Sequence, residues 1–437
     1  MRILFIAPSA YLLGGVQDWL YTTVIGLRNR GHTVDVAVPN GYFHNGRKFN
    51  SYFVGLDADF FLNKSGTNEG RIRGLTRLLR RKETDIIVGV NIGNLFEAIR
   101  RMGKDHGRKF VMTIHAIEHN YYADINQYKS LLNGVIVTNK LSVLLAEQIG
   151  KIDKNKIYYA PYGIGQNERS SVKRQSHLPL MIAWVGRIEQ NQKRVRDIRR
   201  VLEGLDSLEI DYKMVIAGDG PERNKLLEDI STWISAGKVN FHGFLGKEEL
   251  GILYKSCHVL LITSEWETGP IVAWEAISCG LAVVSSSYTG LRAEETLINN
   301  KTALLFEVGD STGAARQIAR LKDEDLRQQL LFNAREIVIR KYSAEASLDA
   351  WEKALGEVNA SEIKYESLEE KLVLESRKAG RMEKYLGVAG SELLRGVVPR
   401  RSARSAGDEW PHSLQGIRNQ EWILEYAKNV EDSHWLT

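Results

Sequence analysis

Apolar residues fall along this chain in two series of short runs. In the first half they occupy 2–7, 33–38, 85–90, 109–114 and 134–138; in the second they occupy 180–185, 212–217, 239–242, 258–263, 281–285 and 302–306. The runs are close to continuous in Val, Ile, Leu and Ala, as expected of strands buried on both faces of a parallel sheet. Polar and helical material separates them. The stretch 67–82 reads as a helix with Ile72, Leu75, Leu78 and Leu79 on one side and Arg71, Arg73, Arg77, Arg80, Arg81 and Lys82 elsewhere. Strand–helix alternation, twice over, predicts the α/β class with two doubly wound, Rossmann-like domains. The first is expected over 1–164, closing with Tyr-Tyr-Ala-Pro-Tyr-Gly at 158–163. Residues 165–178 are polar and charged without periodicity and read as a linker; the second domain is expected over 179–342. A helix with Trp351 is expected over 343–358, then a mostly helical extension over 359–437 bearing Arg395, Arg400, Arg401, Arg404, Trp410, Trp422 and Trp435.

Composition narrows the picture. At 437 residues and 43% hydrophobic content the chain has material for two full cores and more. Two cysteines, Cys257 and Cys279, form no disulfide framework and fit a reducing compartment. The first apolar run is too short for a signal peptide, and no run reaches transmembrane length. The expectation is a cytoplasmic protein, at most peripheral on the inner face of a membrane. A net charge of +5 suits anionic ligands such as nucleotide diphosphates, or acidic lipid. No nucleic-acid-binding signature and no Cys/His metal cluster is present in the sequence. The basic helix at 67–82 has two readings: contact with an anionic membrane, which would suit a lipid-linked acceptor, or, more plainly, a surface helix with a solvated charged face.

The chemistry concentrates in 264–280, Ser-Glu-Trp-Glu-Thr-Gly-Pro-Ile-Val-Ala-Trp-Glu-Ala-Ile-Ser-Cys-Gly. It reads as a loop and then a helix, with Pro270 at the first helical position and Gly280 at the stop. Within it the carboxylates Glu267 and Glu275 stand with seven residues between them. At helical rise that separation is on the order of 10 Å, about the reach from a sugar across a diphosphate to a ribose. The helix N-terminus between them offers free N–H groups and positive potential, which favour phosphate. After the run 180–185 comes Gly-Arg-Ile-Glu-Gln-Asn-Gln-Lys, in which Arg187 and Lys193 flank a polar turn. Two cations there can neutralise a diphosphate. Gly14 and Gly15 follow the first run, where bare backbone can approach a diphosphate.

The Glu-x7-Glu segment, the Gly-Arg…Lys spacing and the glycine pair resemble the family 4 retaining glycosyltransferases. The likeness runs over about 1–358 and is strongest over 180–310. It implies the GT-B fold, with two Rossmann-like domains facing a central cleft and the 343–358 helix crossing back to the first domain. It also implies transfer of a sugar from a UDP- or GDP-sugar to an acceptor hydroxyl, as in cell-surface polysaccharide or glycolipid synthesis. On that likeness Arg187 and Lys193 hold the diphosphate, aided by the helix end at Gly269, Ile271 and Val272. Glu275 binds ribose hydroxyls, Glu267 orients the sugar, His115 braces it, and Gly14 and Gly15 close over the phosphates. The Gly-Asp-Gly-Pro segment at 218–221 reads first as a turn, with Gly218 approaching the donor, and Phe244 or Leu245 covers the base. Ala116, after His115, departs from the family's pattern. No metal or other cofactor is expected, since fixed cations take the metal's place and no Asp-x-Asp motif stands in that context. The acceptor, whether glycan, glycolipid or small molecule, is left open. Rival readings are an epimerase or phosphorylase of the same fold, and a non-catalytic nucleotide-sugar-binding module.

Overall fold

The computed structural model describes residues 1–437 except 10–14, 42–43, 64–67, 104–105, 166–178, 363–380, 399–419 and 436–437. The predicted linker, beyond Gly165, therefore lies outside the described residues, as do Gly14, Trp410 and much of the predicted extension. Contacts divide the chain into two compact units: residues 1–160 with 348–426, and residues 161–347 with 427–437.

The first unit is built on seven strands, β1 (Arg2–Ile6), β2 (Thr33–Gly41), β3 (Asp59–Asn63), β4 (Ile86–Val90), β5 (Lys109–Ile114), β6 (Gly134–Val137) and β7 (Ile157–Tyr159). They pair in parallel in the order β3-β2-β1-β4-β5-β6-β7. Two of these, β3 and β7, are edge strands outside the predicted runs. Neither is buried on both faces: Leu62 of β3 is 49% exposed, and β7 is half-buried throughout. The basic helix is Asn68–Arg81. Its Ile72, Leu75, Leu78 and Leu79 are buried, and Arg73, Arg77, Arg80 and Arg81 are exposed. Arg71 is the exception, 3% exposed and donating to Asn94 Oδ1 at 3.1 Å.

The second unit carries β8 (Leu180–Val185), β9 (Tyr212–Ala217), β10 (Val239–Gly243), β11 (Val259–Ile262), β12 (Ala282–Ser286) and β13 (Leu304–Phe306), all parallel, in the order β10-β9-β8-β11-β12-β13. Alternate residues feed two cores. Ile182, Trp184, Met214, Ile216 and Leu261 point to one, shared with the helices Asp197–Ser207 and Ser311–Arg320. Ala183, Val215, Leu260 and Ile262 point to the other, with Tyr254, Trp274 and Ile277. There the Trp274 and Tyr342 rings stack at 4.4 Å and 7°. Cys257 and Cys279 are free thiols in this second core, both fully buried. The sequence suggests a solvated Glu294–Glu295 pair; only Glu295 is exposed. Glu294 is 3% exposed and accepts the Tyr342 hydroxyl at 2.7 Å, because the long helix Glu324–Tyr342 covers it.

The strand order reverses direction between β8 and β11. In an open parallel sheet the loops leaving the carboxyl ends of two such strands diverge to opposite faces and leave a crevice. Those two loops are the ones that carry Arg187 to Lys193 and Ser264 to Glu275.

Candidate active site

The loop after β8 is shaped by one carboxylate. Glu189, 9% exposed, accepts the N–H groups of Asn191 at 2.9 Å, Gln192 at 3.0 Å and Lys193 at 3.0 Å. That triple cap curls 190–193 back over the strand end, so that the Lys193 stem lies over Gly186. Thr263, next after β11, fixes the same turn by donating to the Lys193 carbonyl at 2.6 Å while accepting the Trp184 indole N–H at 3.0 Å.

Lys193 then meets Glu267. Its Nζ is 2.5 Å from Glu267 Oε1, with side-chain exposures of 18% and 6%. Ser264 Oγ donates to the same carboxylate oxygen at 2.6 Å, and Gln192 Nε2 donates to the other at 3.2 Å. Three donors converge on the acid, one of them the Lys193 ammonium. Arg194 ties the loops a second time, bonding Asp197 at 2.7 Å and Glu265 at 2.9 Å. Arg187 stands exposed on the same β8 loop.

The following helix is Ile271–Ser278. Pro270 is its N-cap, one position earlier than the sequence suggests, with φ −72° and ψ 91°. An extended ψ at the cap turns the chain into the helix. Gly269 just before it has φ 114°, a left-handed conformation that favours glycine. The Ala273 N–H already bonds the Pro270 carbonyl at 2.8 Å, so the amides nearest the loop are those of Ile271 and Val272. Glu275, half-buried, accepts the Tyr254 hydroxyl at 3.3 Å.

Gly218 has φ 143°, and a Cβ there would meet the Gly186 carbonyl at 1.8 Å. Its glycine is therefore required by close packing of the β8 and β9 strand ends. Phe244 is 41% exposed, whereas Leu245 is partly buried against the second core. The second unit thus brings together Arg187, Lys193, Gly218, Glu267, Gly269, Ile271, Val272 and Glu275 around the ends of β8, β9 and β11. His115 and Gly15 belong to the first unit. Gly15 opens the helix Gly15–Asn29 and is exposed. His115 is 5% exposed, 2.8 Å from Thr113 Oγ1, with its ring 4.5 Å from that of Trp19. Burial pushes its pKa down to about 3, so the imidazole is neutral. His119 lies beneath Trp422, ring edge to face at 5.6 Å.

Sequence reasoning passed over Glu189, Gln192 and Ser264. The signal for the first was an acid four positions before a lysine in a turn; Gln192 and Ser264 carried none, since a polar loop residue is unremarkable alone.

Residues 166–337 match the family described as glycosyl transferases group 1, and residues 13–140 match glycosyltransferase family 4. The matched stretches are those of group 1 and family 4 glycosyltransferases. Among its relatives, the N-acetyl-alpha-D-glucosaminyl L-malate synthase of Bacillus anthracis is 32% identical over 162 residues, 37% of this chain and 41% of that one. A Campylobacter jejuni alpha-1,4-N-acetyl-D-galactosaminyltransferase acting on an undecaprenol-diphosphate-linked glycan is 29% identical over 180 residues, 41% and 48% of the two chains. The chain thus spans between two fifths and a half of the length of these curated relatives. Anabaena HepE, solved in complex with UDP, superposes with a TM-score of 0.67 at 18% identity, covering 82% of this chain and all of that one. Sucrose-phosphate synthase from Thermosynechococcus elongatus gives 0.68 at 15% identity, covering 83% of this chain and 100% of its own. These likenesses, with the two parallel sheets, show the GT-B fold.

Proposed function

We propose that the chain is a retaining glycosyltransferase that moves a sugar from a nucleoside diphosphate sugar to an acceptor hydroxyl. The observation that carries this is the Lys193–Glu267 pair at the β8/β11 switch point, with a helix N-terminus beside it. Complexes of Anabaena HepE with UDP and with UDP-glucose support a nucleotide-sugar donor of that kind.

In this reading the bond between the anomeric carbon and the diphosphate breaks. The acceptor oxygen bonds to the same face of the sugar, and its proton leaves with the diphosphate. Arg187, Lys193 and the amides of Ile271 and Val272 carry the negative charge that grows on the leaving group. Glu267 faces the sugar and opposes the positive charge at the anomeric carbon. Glu275, already accepting one hydroxyl, is suited to ribose hydroxyls. Among the described residues no group of His, Cys, Asp and Glu is arranged to hold a metal ion, and the reading assigns the metal's role to Arg187 and Lys193. The roles of His115, as a neutral hydrogen-bonding partner of the sugar, and of Gly14 and Gly15 rest on the family resemblance.

No described helix is long and apolar enough to cross a membrane. Because the apolar side of Asn68–Arg81 is buried in its own unit, a peripheral contact through that helix would be electrostatic, through Arg73, Arg77, Arg80 and Arg81. Such a contact would fit an acceptor carried on an anionic lipid surface in glycan or glycolipid synthesis.

The test is transfer from UDP-, GDP- and ADP-sugars by the wild type and by Glu267→Gln and Lys193→Ala. Each substitution is expected to reduce turnover at least about a hundredfold, equivalent to roughly 2.7 kcal/mol of barrier, with the fold retained. Near-normal turnover in both would refute the site.

A further inference from the structure

Residues 427–435 pack as part of the second unit although they lie beyond both family matches. They end the helix Gln420–Trp435, whose Glu431 is 4% exposed. One Glu431 oxygen accepts the Gly290 N–H at 2.9 Å, and the other accepts those of Arg292 at 2.8 Å and Ala293 at 3.1 Å. Gly290 has φ 100° and the short helix Leu291–Glu294 follows it, so three N–H groups within four residues converge on one point. Such a concavity favours an anion, and here the tail's carboxylate supplies it. The neighbouring Asp432 pairs with the Arg292 guanidinium.

This cap sits one residue from the acidic loop of the site. Thr289 donates its N–H to the Glu265 carbonyl at 3.0 Å, and its own carbonyl accepts the Glu267 N–H at 3.1 Å. The Ser286 hydroxyl donates to the Ser264 carbonyl at 2.6 Å, one strand-end earlier. The backbone of Glu267 is therefore hung on the segment 286–293, and that segment is anchored by Glu431. In the same segment, burial, and then the charges of Glu267, Tyr342, Glu294 and Glu431, push the Tyr288 hydroxyl pKa up.

We propose that Glu431 is a positioning residue for Glu267, with the tail helix locking the 286–293 segment on which the acid's backbone depends. The proposal rests on the reading in which Glu267 orients the donor sugar. A neutral amide at 431 offers one acceptor oxygen to three amides, so the cap loosens while the shape is kept.

The experiment uses the full chain with Glu431→Gln, Asp432→Asn and, as control, Glu267→Gln. Three quantities are measured: kcat and donor KM with the accepted nucleotide sugar, thermal unfolding, and hydrogen exchange at the amides of Glu267 and Thr289. For Glu431→Gln the expectation is a kcat at least tenfold lower per folded molecule, a donor KM within twofold of wild type, and faster exchange at both amides. A strap that merely stabilises would lower the melting temperature and leave kcat per folded molecule and local exchange unchanged; that result overturns the proposal. Should Glu431→Gln fail to fold, Asp432→Asn decides, since its carboxylate is partly exposed: a smaller kcat loss and faster exchange in the same segment support the proposal, and wild-type values overturn it. Should Glu267→Gln turn over normally, the reading of the site fails, and exchange at the Glu267 amide alone then decides whether the tail holds this loop.

Discussion

Replacing Lys193 by alanine removes the charged donor from a nearly enclosed carboxylate, and the cost can be worked from the geometry. Glu267, with 6% of its side chain exposed, would retain only Ser264 Oγ at 2.6 Å and Gln192 Nε2 at 3.2 Å. Orphaning one member of a buried pair costs about 3–5 kcal/mol. The lysine end is 18% exposed and two neutral donors survive, so water can reach the gap and the expected loss falls to about 2–3 kcal/mol. Glu267→Gln is milder: the amide still offers an oxygen to Lys193, whose exposed side can hydrate, and about 1 kcal/mol is expected. The double variant Lys193→Ala/Glu267→Gln buries no unpaired charge. It should be more stable than Lys193→Ala alone, with a coupling of about 1–2 kcal/mol. Scanning calorimetry of the four proteins checks this, since about 1 kcal/mol moves the midpoint of a unit of this size by roughly 2–4 °C. If the double variant lost the sum of the two single losses, the two groups would be energetically independent and the account of the pair would be wrong.

Burial of His115 and the close packing at Gly218 each carry a further expected outcome. His115 is held at a pKa of about 3 against 6.5 when exposed, so the unfolded chain binds a proton that the folded one refuses between those values. Its contribution should be complete above pH 6.5 and shrink by roughly 1.4 kcal/mol per pH unit as the pH falls toward 3; denaturant titrations of the wild type and His115→Gln at pH 7 and pH 5 should show a shallower loss in the variant, although His44, held down to about 4 by burial and Arg71, supplies a slope of its own in both. Gly218→Ala, with its Cβ aimed 1.8 Å from the Gly186 carbonyl, should destabilise the second unit by about 3 kcal/mol or more, measured by urea unfolding, whereas a loss under about 0.5 kcal/mol would show that the strand ends can part.

The central strands were legible because burial on both faces writes itself as an unbroken apolar run, as in Ile86–Val90. The edges were not: Asp59–Asn63 begins and ends with polar residues and leaves Leu62 open, and Ile157–Tyr159 is three residues long. Cys257 to Gly280 was readable as strand, loop and helix because a charged residue in an apolar segment needs a reason, and Glu267 and Glu275 supplied two. Glu294 misled for the opposite cause. Beside Glu295 it looks like half of a solvated pair, whereas its carboxylate meets the Tyr342 hydroxyl, 48 positions away in sequence. Glu431 was silent in the same way, since nothing in the tail's spacing announces the three distant amides it accepts.

The two thiols, Cys257 and Cys279, sit at zero exposure in one core of the second unit. A maleimide or disulfide reagent added to the native protein should therefore find no sulfur, and modification would clock the opening of that core. The same silence leaves the wild-type background clean for attaching a dye or spin label at a single introduced cysteine.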